Sequence, residues 1–363
     1  MIKPEIVHKP GSYTMRDIAR LAGVSVSTVS AVVNNKPVVS PELRSKVQQA
    51  IEAVNFHPNR GARGLRMRRT YLIGLVVLDA TNPFFMDVMR GVEDEVRSKS
   101  YDLMVCNSND QFETEMRHLN ALYAYRVDGL LIAPCDSYAA REILIGSHPP
   151  LVFVDIVPIG AKVSSVVTNN LGATHEAIRY LVGLGHQRIA VIAGRDVVSS
   201  SFDRLEGYRK AMRESNLSVR EEYMEQGDSH IESGYQCAMK LLKSLDPPTA
   251  IFALNNRMLL GVLRALREME VPCPGCVSVM GFDDSDWATI FNPSITTIAQ
   301  PAYEIGQQAA GLLLESIRAA EEGAMVEPRQ IVLESSLRIR ESTGPAPQTP
   351  WLQQTLANLI RQS

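Results

Sequence analysis

One stretch, residues 13–33, restricts the fold of this chain more than any other, because its pattern predicts two short helices joined by a tight turn that begins at Gly23. Thr14 and Asp17 have the spacing of a capping box, Gly23 ends the first helix, and Ser25 is placed to cap the second. The apolar positions with helical spacing are Ile18, Leu21 and Ala22 in the first helix and Val29, Val32 and Val33 in the second. Two short helices around so tight a turn predict a helix-turn-helix.

A third helix is predicted to complete this small core. Ser40 is its expected N-cap and Pro41 occupies the first helical position. Its apolar positions are Leu43, Val47, Ala50, Ile51 and Val54. The outer faces of the second helix carry small, uncharged side chains, which are Val26, Ser27, Thr28, Ser30 and Ala31. Such a surface suits close approach to another molecule.

Charge is distributed unevenly along the chain, whose formal net charge is −3. Residues 1–69 hold 12 Lys and Arg against 4 Asp and Glu, a balance of +8, and the remainder holds 25 against 36, a balance of −11. Five arginines fall within residues 60–69, directly after Asn59, which is placed to cap a last short helix. The distribution predicts a basic, phosphate-facing module attached to an acidic body.

From Tyr71 the chain alternates short apolar runs with helical patterns, which is typical of parallel sheets covered on both faces. The first set comprises strands at 71–78, 102–107, 129–134 and 151–155 and helices at 85–99, 112–125 and 137–146. The alternation then restarts, with strands at 165–168, 188–194, 250–255 and 277–282 and helices at 170–184 and 202–215. A helix at 301–320 and strands near 330–340 are expected to return and complete both lobes. The pattern predicts an α/β body of two doubly wound parallel sheets, with a ligand cleft beyond the strand ends.

The first segment has the order T-x-x-D-I-A-x-x-A-G-V-S-x-x-T-V-S, followed by VNN, VS, FHPN, A-R and Leu65. This pattern resembles the DNA-binding headpiece of the LacI/GalR repressors. The segments NPFF (82–85), LGHQRIAVIAG (184–194) and VSVMGFDD (277–284) extend the resemblance through a periplasmic-binding-protein-like body. The resemblance implies a transcription regulator, most often a repressor, that binds a pseudo-palindromic operator in double-stranded DNA as a homodimer. It also implies control by a small polar effector such as a sugar, and it implies no cofactor or metal.

By position, the resemblance assigns base contacts to Val26, Ser27 and Ala31 and phosphate contacts to Ser25, Thr28, Ser30 and Asn34. The predicted DNA-binding set further includes Thr14, Ser40, Asn59, Ala62, Arg63, Leu65 and Arg66. Leu65 matches a leucine that enters the minor groove from a hinge helix over 59–66. Because this segment is short and contains Gly61 and Gly64, we expect it to fold only on DNA. The alternative is a flexible basic tether.

The resemblance places the effector site at strand and loop ends, on Asp155, Arg204, Asn255 and Asp283, with Phe84 or Phe85 stacking on a ring. Carboxylates, an amide and a guanidinium offer the paired acceptors and donors that vicinal hydroxyls require. Each residue has a plainer alternative: the phenylalanines as core, Asn255 and Asp283 as caps or loop bridges, and Arg204 as a solvated helix residue. The chain departs from the family pattern at Ile156, where an arginine is common, and at Asn169, where an aspartate is usual.

Other function classes have less support in the sequence. An enzyme on the same fold would be the main competitor, but the chain has no G-x-G-x-x-G after a strand, no Walker loop and no nucleophile elbow. A transport-type binding protein would need a signal peptide, which the polar N-terminus does not resemble, and no stretch approaches a membrane span. A cytoplasmic location is therefore predicted. Cys273 and Cys276 form a CxxC that we interpret as a loop, with a redox switch or half a metal site as alternatives.

The predicted domains are an extension at 1–12, the headpiece at 13–58, the hinge at 59–70, the body at 71–343, and a linker with a short amphipathic helix at 344–363. The apolar residues that form a helical seam in this tail are Trp351, Leu352, Leu356, Leu359 and Ile360. In some members of the family that the chain resembles, a tail helix joins two dimers into a tetramer; docking of this short tail onto its own body is the equal alternative.

Overall fold

The computed structural model describes residues 13–33, 36–56, 69–145 and 148–348. The chain divides into two compact units, residues 1–70 and 71–363. Several predictions fall outside the described residues, namely those on 1–12, on Asn34, on the hinge residues Asn59, Ala62, Arg63, Leu65 and Arg66, and on the tail from 349 to 363.

The first unit contains three helices, α1 (Met15–Ala22), α2 (Val26–Val33) and α3 (Pro41–Ala53). The capping box at α1 is confirmed, because Asp17 N–H donates to Thr14 Oγ1 over 3.4 Å and Thr14 N–H donates back to Asp17 Oδ2 over 3.0 Å. Gly23 ends α1 with a left-handed φ of 66°, as a C-cap glycine does. Ser25 Oγ accepts the Thr28 N–H over 3.1 Å, which caps α2.

The three helices bury one small core, formed by Ile18, Ala19, Val29, Val32, Val47, Ala50 and Phe56. The predicted inward position of Leu21 is wrong, since its side chain is 57% exposed. Ala19 is buried instead. Around the helix axis Ala22 lies between Ile18 and Ala19, whereas Leu21 lies on the other side of Ile18, so the buried face turns away from Leu21. Leu43 at the start of α3 is also mostly outside the core.

The second unit is an α/β structure of two lobes. Its strands are β1 (Leu72–Val77), β2 (Asp102–Asn107), β3 (Gly129–Ile132), β4 (Leu151–Val154), β5 (Ser165–Thr168), β6 (Ile189–Ala193), β7 (Met224–Gln226), β8 (Ala250–Ala253), β9 (Ser278–Phe282), β10 (Thr296–Ala299), β11 (Gln330–Leu333) and β12 (Ser336–Arg338). Its α-helices are α4 (Pro83–Ser98), α5 (Phe112–Ala124), α6 (Asn170–Gly183), α7 (Ser199–Glu214), α8 (Ile231–Leu242), α9 (Asn256–Glu268), α10 (Trp287–Ile290) and α11 (Ala302–Glu321). Short 3₁₀ helices cover Ala139–Leu144 and Glu221–Tyr223.

Each lobe is built on one six-stranded sheet. The first sheet has the order β11-β5-β4-β3-β1-β2 and all its pairs are parallel. The second has the order β12-β10-β9-β8-β6-β7, in which only the β10–β12 pair is antiparallel. The predicted two-lobed parallel architecture is confirmed, and the chain crosses between lobes after β5, after β10 and after β11.

The structure corrects the sequence-based assignment of several elements. Strand β5 does not open the second sheet but pairs with β4 and β11 in the first, so the second lobe begins with α6. The helix predicted at 137–146 is a short 3₁₀ turn over Ala139–Leu144. The sequence analysis predicts neither β7 nor β10, because three or four residues are too few to show a strand's alternation of apolar and polar positions. It also omits α8 and α9, although both have a regular helical pattern.

The chain stays hydrogen-bonded to the second lobe beyond residue 343, the predicted end of the body. His186 Nε2 lies 3.0 Å from the carbonyl oxygen of Gly344, and Ala346 N–H donates to Leu184 O over 2.9 Å. The predicted linker at 344 is therefore held on the body at its start. No helix among the described residues is long and apolar enough to cross a membrane.

Candidate ligand cleft and nucleic-acid surface

The six residues predicted for the effector site line one cleft between the lobes of the second unit. They are Phe84, Phe85, Asp155, Arg204, Asn255 and Asp283. The cleft has a cavity volume of about 70 Å³. Asp155 follows β4 and Asp283 follows β9, so the carboxyl ends of parallel strands supply both acids. The structure brings the residues together, and their role in binding stays a prediction.

Asp155 and Asp283 adopt backbone conformations that few residues tolerate. Their φ angles are 63° and 71°, in the left-handed region where Asp and Asn are among the enriched non-glycine residues. Both side chains are buried, at 6% and 7% exposure. Asp283 Oδ1 accepts from Gln300 Nε2 over 2.6 Å, whereas Asp155 Oδ1 has no hydrogen-bond partner among the described residues.

Arg204 of α7 is the cation of this site, and its position is fixed by the second lobe. Its Nε donates to Asn170 Oδ1 and its Nη1 donates to the carbonyl of Leu254, both over 2.7 Å. The guanidinium carbon lies 3.7 Å from the centroid of the Phe282 ring. With 6% exposure Arg204 is not a solvated helix residue, so that alternative is wrong. Its planar group is oriented before any ligand arrives.

Burial and the charge of Arg204 shift the pKa values of the two carboxyls in opposite directions. Burial raises the pKa of Asp155 to about 6, the Arg204 charge opposes this rise, and the Asp283 charge adds to it. Burial also raises the pKa of Asp283, against the lowering effect of Arg204 and of the hydrogen bond from Gln300. One guanidinium therefore does not fully compensate two buried carboxylates.

Asn255 acts as a helix cap and loop bridge, and Phe84 and Phe85 are core residues, as the alternatives to ligand binding predict. Asn255 Oδ1 accepts the Met258 N–H over 2.7 Å and so caps α9, while its Nδ2 donates to the Ser229 carbonyl over 3.0 Å. The rings of Phe84 and Phe85 meet edge to face at 5.1 Å and belong to the core of the first lobe. A ligand would therefore contact these residues from one side only.

The sequence did not reveal the contacts that join the lobes across the cleft. Gln300, at the crossing after β10, accepts from the Thr168 hydroxyl in addition to donating to Asp283. Asn256 Nδ2 donates to Asn82 Oδ1 over 2.8 Å. Gln300 was not predicted because it directly follows β10, a strand that was not predicted either. Asn82 and Asn256 are 174 positions apart, so no local sequence pattern could indicate their contact.

Ion pairs near the cleft mouth join the lobes as well. Arg257 Nη1 lies 3.9 Å from Asp79 Oδ2. Asp110 lies 3.7 Å from both Arg195 Nη1 and His230 Nε2. These contacts hold the lobes against each other around the central site.

The first unit presents a different kind of surface. Three of the predicted DNA-binding residues are helix N-caps: Thr14 on α1, Ser25 on α2 and Ser40, whose Oγ accepts the Leu43 N–H over 3.4 Å, on α3. All three are exposed, and helix N-termini favour anions such as phosphate. Val26 and Ser27 are exposed on α2, whereas Thr28, Ser30 and Ala31 are partly buried. The first unit therefore presents three exposed helix N-termini together with the small-residue face of α2, and their contact with DNA stays a prediction.

Cys273 and Cys276 lie in the loop before β9, where the sequence places them. None of the five cysteines, all of them in the described ranges, forms a disulfide, and burial raises the pKa of Cys273 to about 12, which keeps it a thiol at neutral pH. The Cys273 sulfur donates to the Ser342 carbonyl over 3.4 Å. In the described residues no group of three or more His, Cys, Asp or Glu is arranged to hold a metal ion.

Comparisons with known proteins agree with this arrangement. The model of the lacI family of bacterial regulatory proteins matches residues 14–59, and that of a periplasmic binding protein-like domain matches residues 178–343. The ribose operon repressor of Escherichia coli strain K12 is 36% identical over 306 residues, which cover 84% of this chain and 93% of that protein. A lac repressor dimer bound to operator and the anti-inducer ONPF is 29% identical with a TM-score of 0.81, covering 93% of this chain and 100% of that one. The complex of the transcriptional regulator CelR with cellobiose is 31% identical with a TM-score of 0.70, covering 91% and 99%.

Proposed function

The chain belongs to the lacI family of bacterial regulatory proteins, and from this premise we propose that it is a dimeric repressor whose operator affinity is set by a small polyol bound in the cleft. It is a sequence-specific DNA-binding regulator, and its unit of three N-capped helices suits the major groove. One such unit offers few base contacts, so we propose that two copies bind a pseudo-palindromic operator. A DNA-binding repressor works beside the chromosome, which supports a cytoplasmic location.

The observation that carries the proposed control by an effector is the fixed Arg204 beside Asp155 and Asp283. A guanidinium and two carboxylates, all more than nine-tenths buried, present donors and acceptors to adjacent hydroxyls in a water-poor site. Two of the similar proteins support this class by name, one being the repressor of a ribose operon and the other a regulator bound to cellobiose. We propose binding rather than catalysis, with no cofactor, because this arrangement supplies recognition groups.

We further propose that residues 59–66 couple the cleft to the DNA. In this view a change in lobe closure alters whether the hinge helix forms on the operator, with Leu65 in the minor groove and Arg63 and Arg66 beside phosphates. Asn59 and Ala62 would lie in the same helix.

The test is selection of an operator from random DNA with the full chain, followed by footprinting. We expect a protected pseudo-palindrome, and a single asymmetric half-site bound at full affinity would contradict the dimer. Two variants then separate the modules. Val26→Ala should weaken binding to the selected operator, whereas Asp283→Asn should leave operator binding intact and remove the response to sugars. Asparagine is the appropriate replacement because it tolerates the left-handed φ of 71° at this position better than alanine does.

A further inference from the structure

Carboxylates outnumber guanidiniums in the lining of the cleft. Its charged lining comprises the carboxylates of Asp79, Asp110, Asp155 and Asp283 and the guanidiniums of Arg204 and Arg257, with the imidazole of His230 beside Asp110. Four carboxylates therefore face two guanidiniums. The adjoining recess shares Asp283 and adds Asp87 and Asp286. Its fourth acid, Asp284, is compensated by a bidentate ion pair with Arg340, at 2.7 and 2.8 Å.

The imbalance is located at the centre of the cleft and not at its mouth. Asp79 lies near Arg257, and Asp110 lies near both Arg195 and His230. At the centre Asp155 and Asp283 both interact with a single cation, Arg204. Two nitrogens of that cation already donate to Asn170 and to the Leu254 carbonyl. The central site therefore has one more carboxylate than it has cations.

Asp155 is the carboxylate that lacks compensation. Asp283 accepts from Gln300, but Asp155 Oδ1 is buried without a hydrogen-bond partner in the part of the chain that the structure describes. The next residue in the cleft lining is Ile156, whose side chain offers no donor and whose N–H already donates to the Val154 carbonyl over 2.6 Å. A buried acceptor with no donor is costly, and it gains most from a ligand group that is itself charged and carries several protons.

We propose that the effector is a small polyol bearing a protonated amine, such as an amino sugar, with its ammonium group against Asp155 and its hydroxyls on Arg204 and Asp283. This rests on the proposed function of the cleft as an effector site. An ammonium group supplies both the missing positive charge and the missing donors. Sugar phosphates and sugar acids would add negative charge to a site that already has an excess of it.

Calorimetry with the full chain tests this class of ligand. The probes are glucosamine, galactosamine and mannosamine, each compared with its parent sugar, its N-acetyl derivative and the corresponding aldonic acid. We expect an amino sugar to bind about tenfold or more tightly than its parent sugar, and acetylation to remove the advantage. Asp155→Asn should remove the preference for the amine. Asp94→Asn on the surface of α4 makes the same change in net charge away from the cleft and should retain the preference.

Three results would overturn the inference: a parent sugar or an acid that binds as tightly as its amine, a preference that survives in Asp155→Asn, or no binding by any amine. Operator binding is measured on the same samples, so that the two proposals fail separately. Specific operator binding that responds to a neutral sugar would refute the amine alone. Absence of any specific operator binding would refute the proposed function.

Discussion

Asn256 of α9 donates to Oδ1 of Asn82 over 2.8 Å and thereby links the two lobes through side chains that are 1% and 9% exposed. The same Asn82 oxygen accepts the Phe84 N–H over 3.0 Å and caps α4. The bond connects the N-terminus of a first-lobe helix to the start of a second-lobe helix. It therefore contributes directly to closure of the cleft.

We predict that Asn256→Ala opens the body. Losing a buried hydrogen bond costs about 1–3 kcal/mol, and here the cost falls on the closed arrangement alone. Small-angle scattering of the ligand-free variant should show a larger radius of gyration, and sugar affinity should fall because the competent state is less populated. Arg264→Ala, on the exposed side of α9, is the matched control. An unchanged radius of gyration together with unchanged affinity would show that this bond does not hold the lobes.

A second prediction separates capping from base readout on α2. Ser25 Oγ accepts the Thr28 N–H and lies 2.7 Å from Ser27 Oγ, so Ser25→Ala should destabilise the first unit by about 1 kcal/mol and weaken binding to every DNA sequence alike. Val26 is exposed and bonds to nothing through its side chain, so Val26→Ala should alter preference at one base position without lowering thermal stability. Binding to a library of single-base operator variants distinguishes the two. A uniform loss in both variants would argue against direct readout by Val26.

The third prediction concerns Glu115 of α5, which is fully buried. Its Oε2 accepts the Cys135 N–H over 2.8 Å while Oε1 has no partner among the described residues, and burial raises its pKa to about 7. A folded-state pKa above the unfolded value means that the folded chain binds the proton more tightly, so stability falls as pH rises from about 4.5 to about 7.

Glu115→Gln should remove this pH dependence. The variant should be more stable than the parent at pH 8, by at most about 3 kcal/mol, and should match it near pH 4. Denaturant melts at the two pH values measure the difference, and Glu113→Gln, exposed on the same helix, is the control. Equal stabilities at both pH values would mean that the buried carboxyl has found a compensating donor.

The fourth prediction tests the hinge. Leu65→Ala should weaken specific binding strongly, because it removes the apolar wedge that we propose for the minor groove. Gly64→Ala should tighten operator binding and blunt the effector response, because alanine favours a helix by about 1 kcal/mol over glycine. Hydrogen exchange on residues 59–66 with and without operator provides the direct readout. Equal exchange in both states would leave only the role of a flexible tether.

The fifth prediction uses the contacts of the chain end. Truncation after Gln348 removes the tail but keeps the bonds of Gly344 and Ala346 to the second lobe, so thermal stability should not change. Truncation after Thr343 removes these bonds and should lower it. Sedimentation of the longer variant should reveal dimers alone. A tetramer that persists without residues 349–363 would exclude the tail as the element that joins dimers.

The sequence by itself determined the parts of this protein that depend on neighbours a few positions away. The capping box of Thr14 and Asp17, the left-handed Gly23 and the cap at Ser40 all use contacts within about four residues, so their spacing was sufficient. The predicted strands that correspond to β1–β6, β8 and β9 lie within about two residues of their observed ends, because an apolar run bounded by turns is itself a local signal. The gathering of Asp155, Arg204 and Asp283 followed from the family resemblance and from the rule for strand ends.

Only the tertiary structure decided which elements and side chains pair. The apolar pattern of β5 would suit the interior of either sheet. The pattern therefore did not reveal that β5 lies between β4 and β11. The contact of Arg204 with Phe282 and the bond of Asn256 to Asn82 join positions far apart in the chain. Hydrophobic periodicity reports that a face is covered, whereas the identity of the covering partner depends on how the chain crosses between lobes, and that is a property of the whole fold.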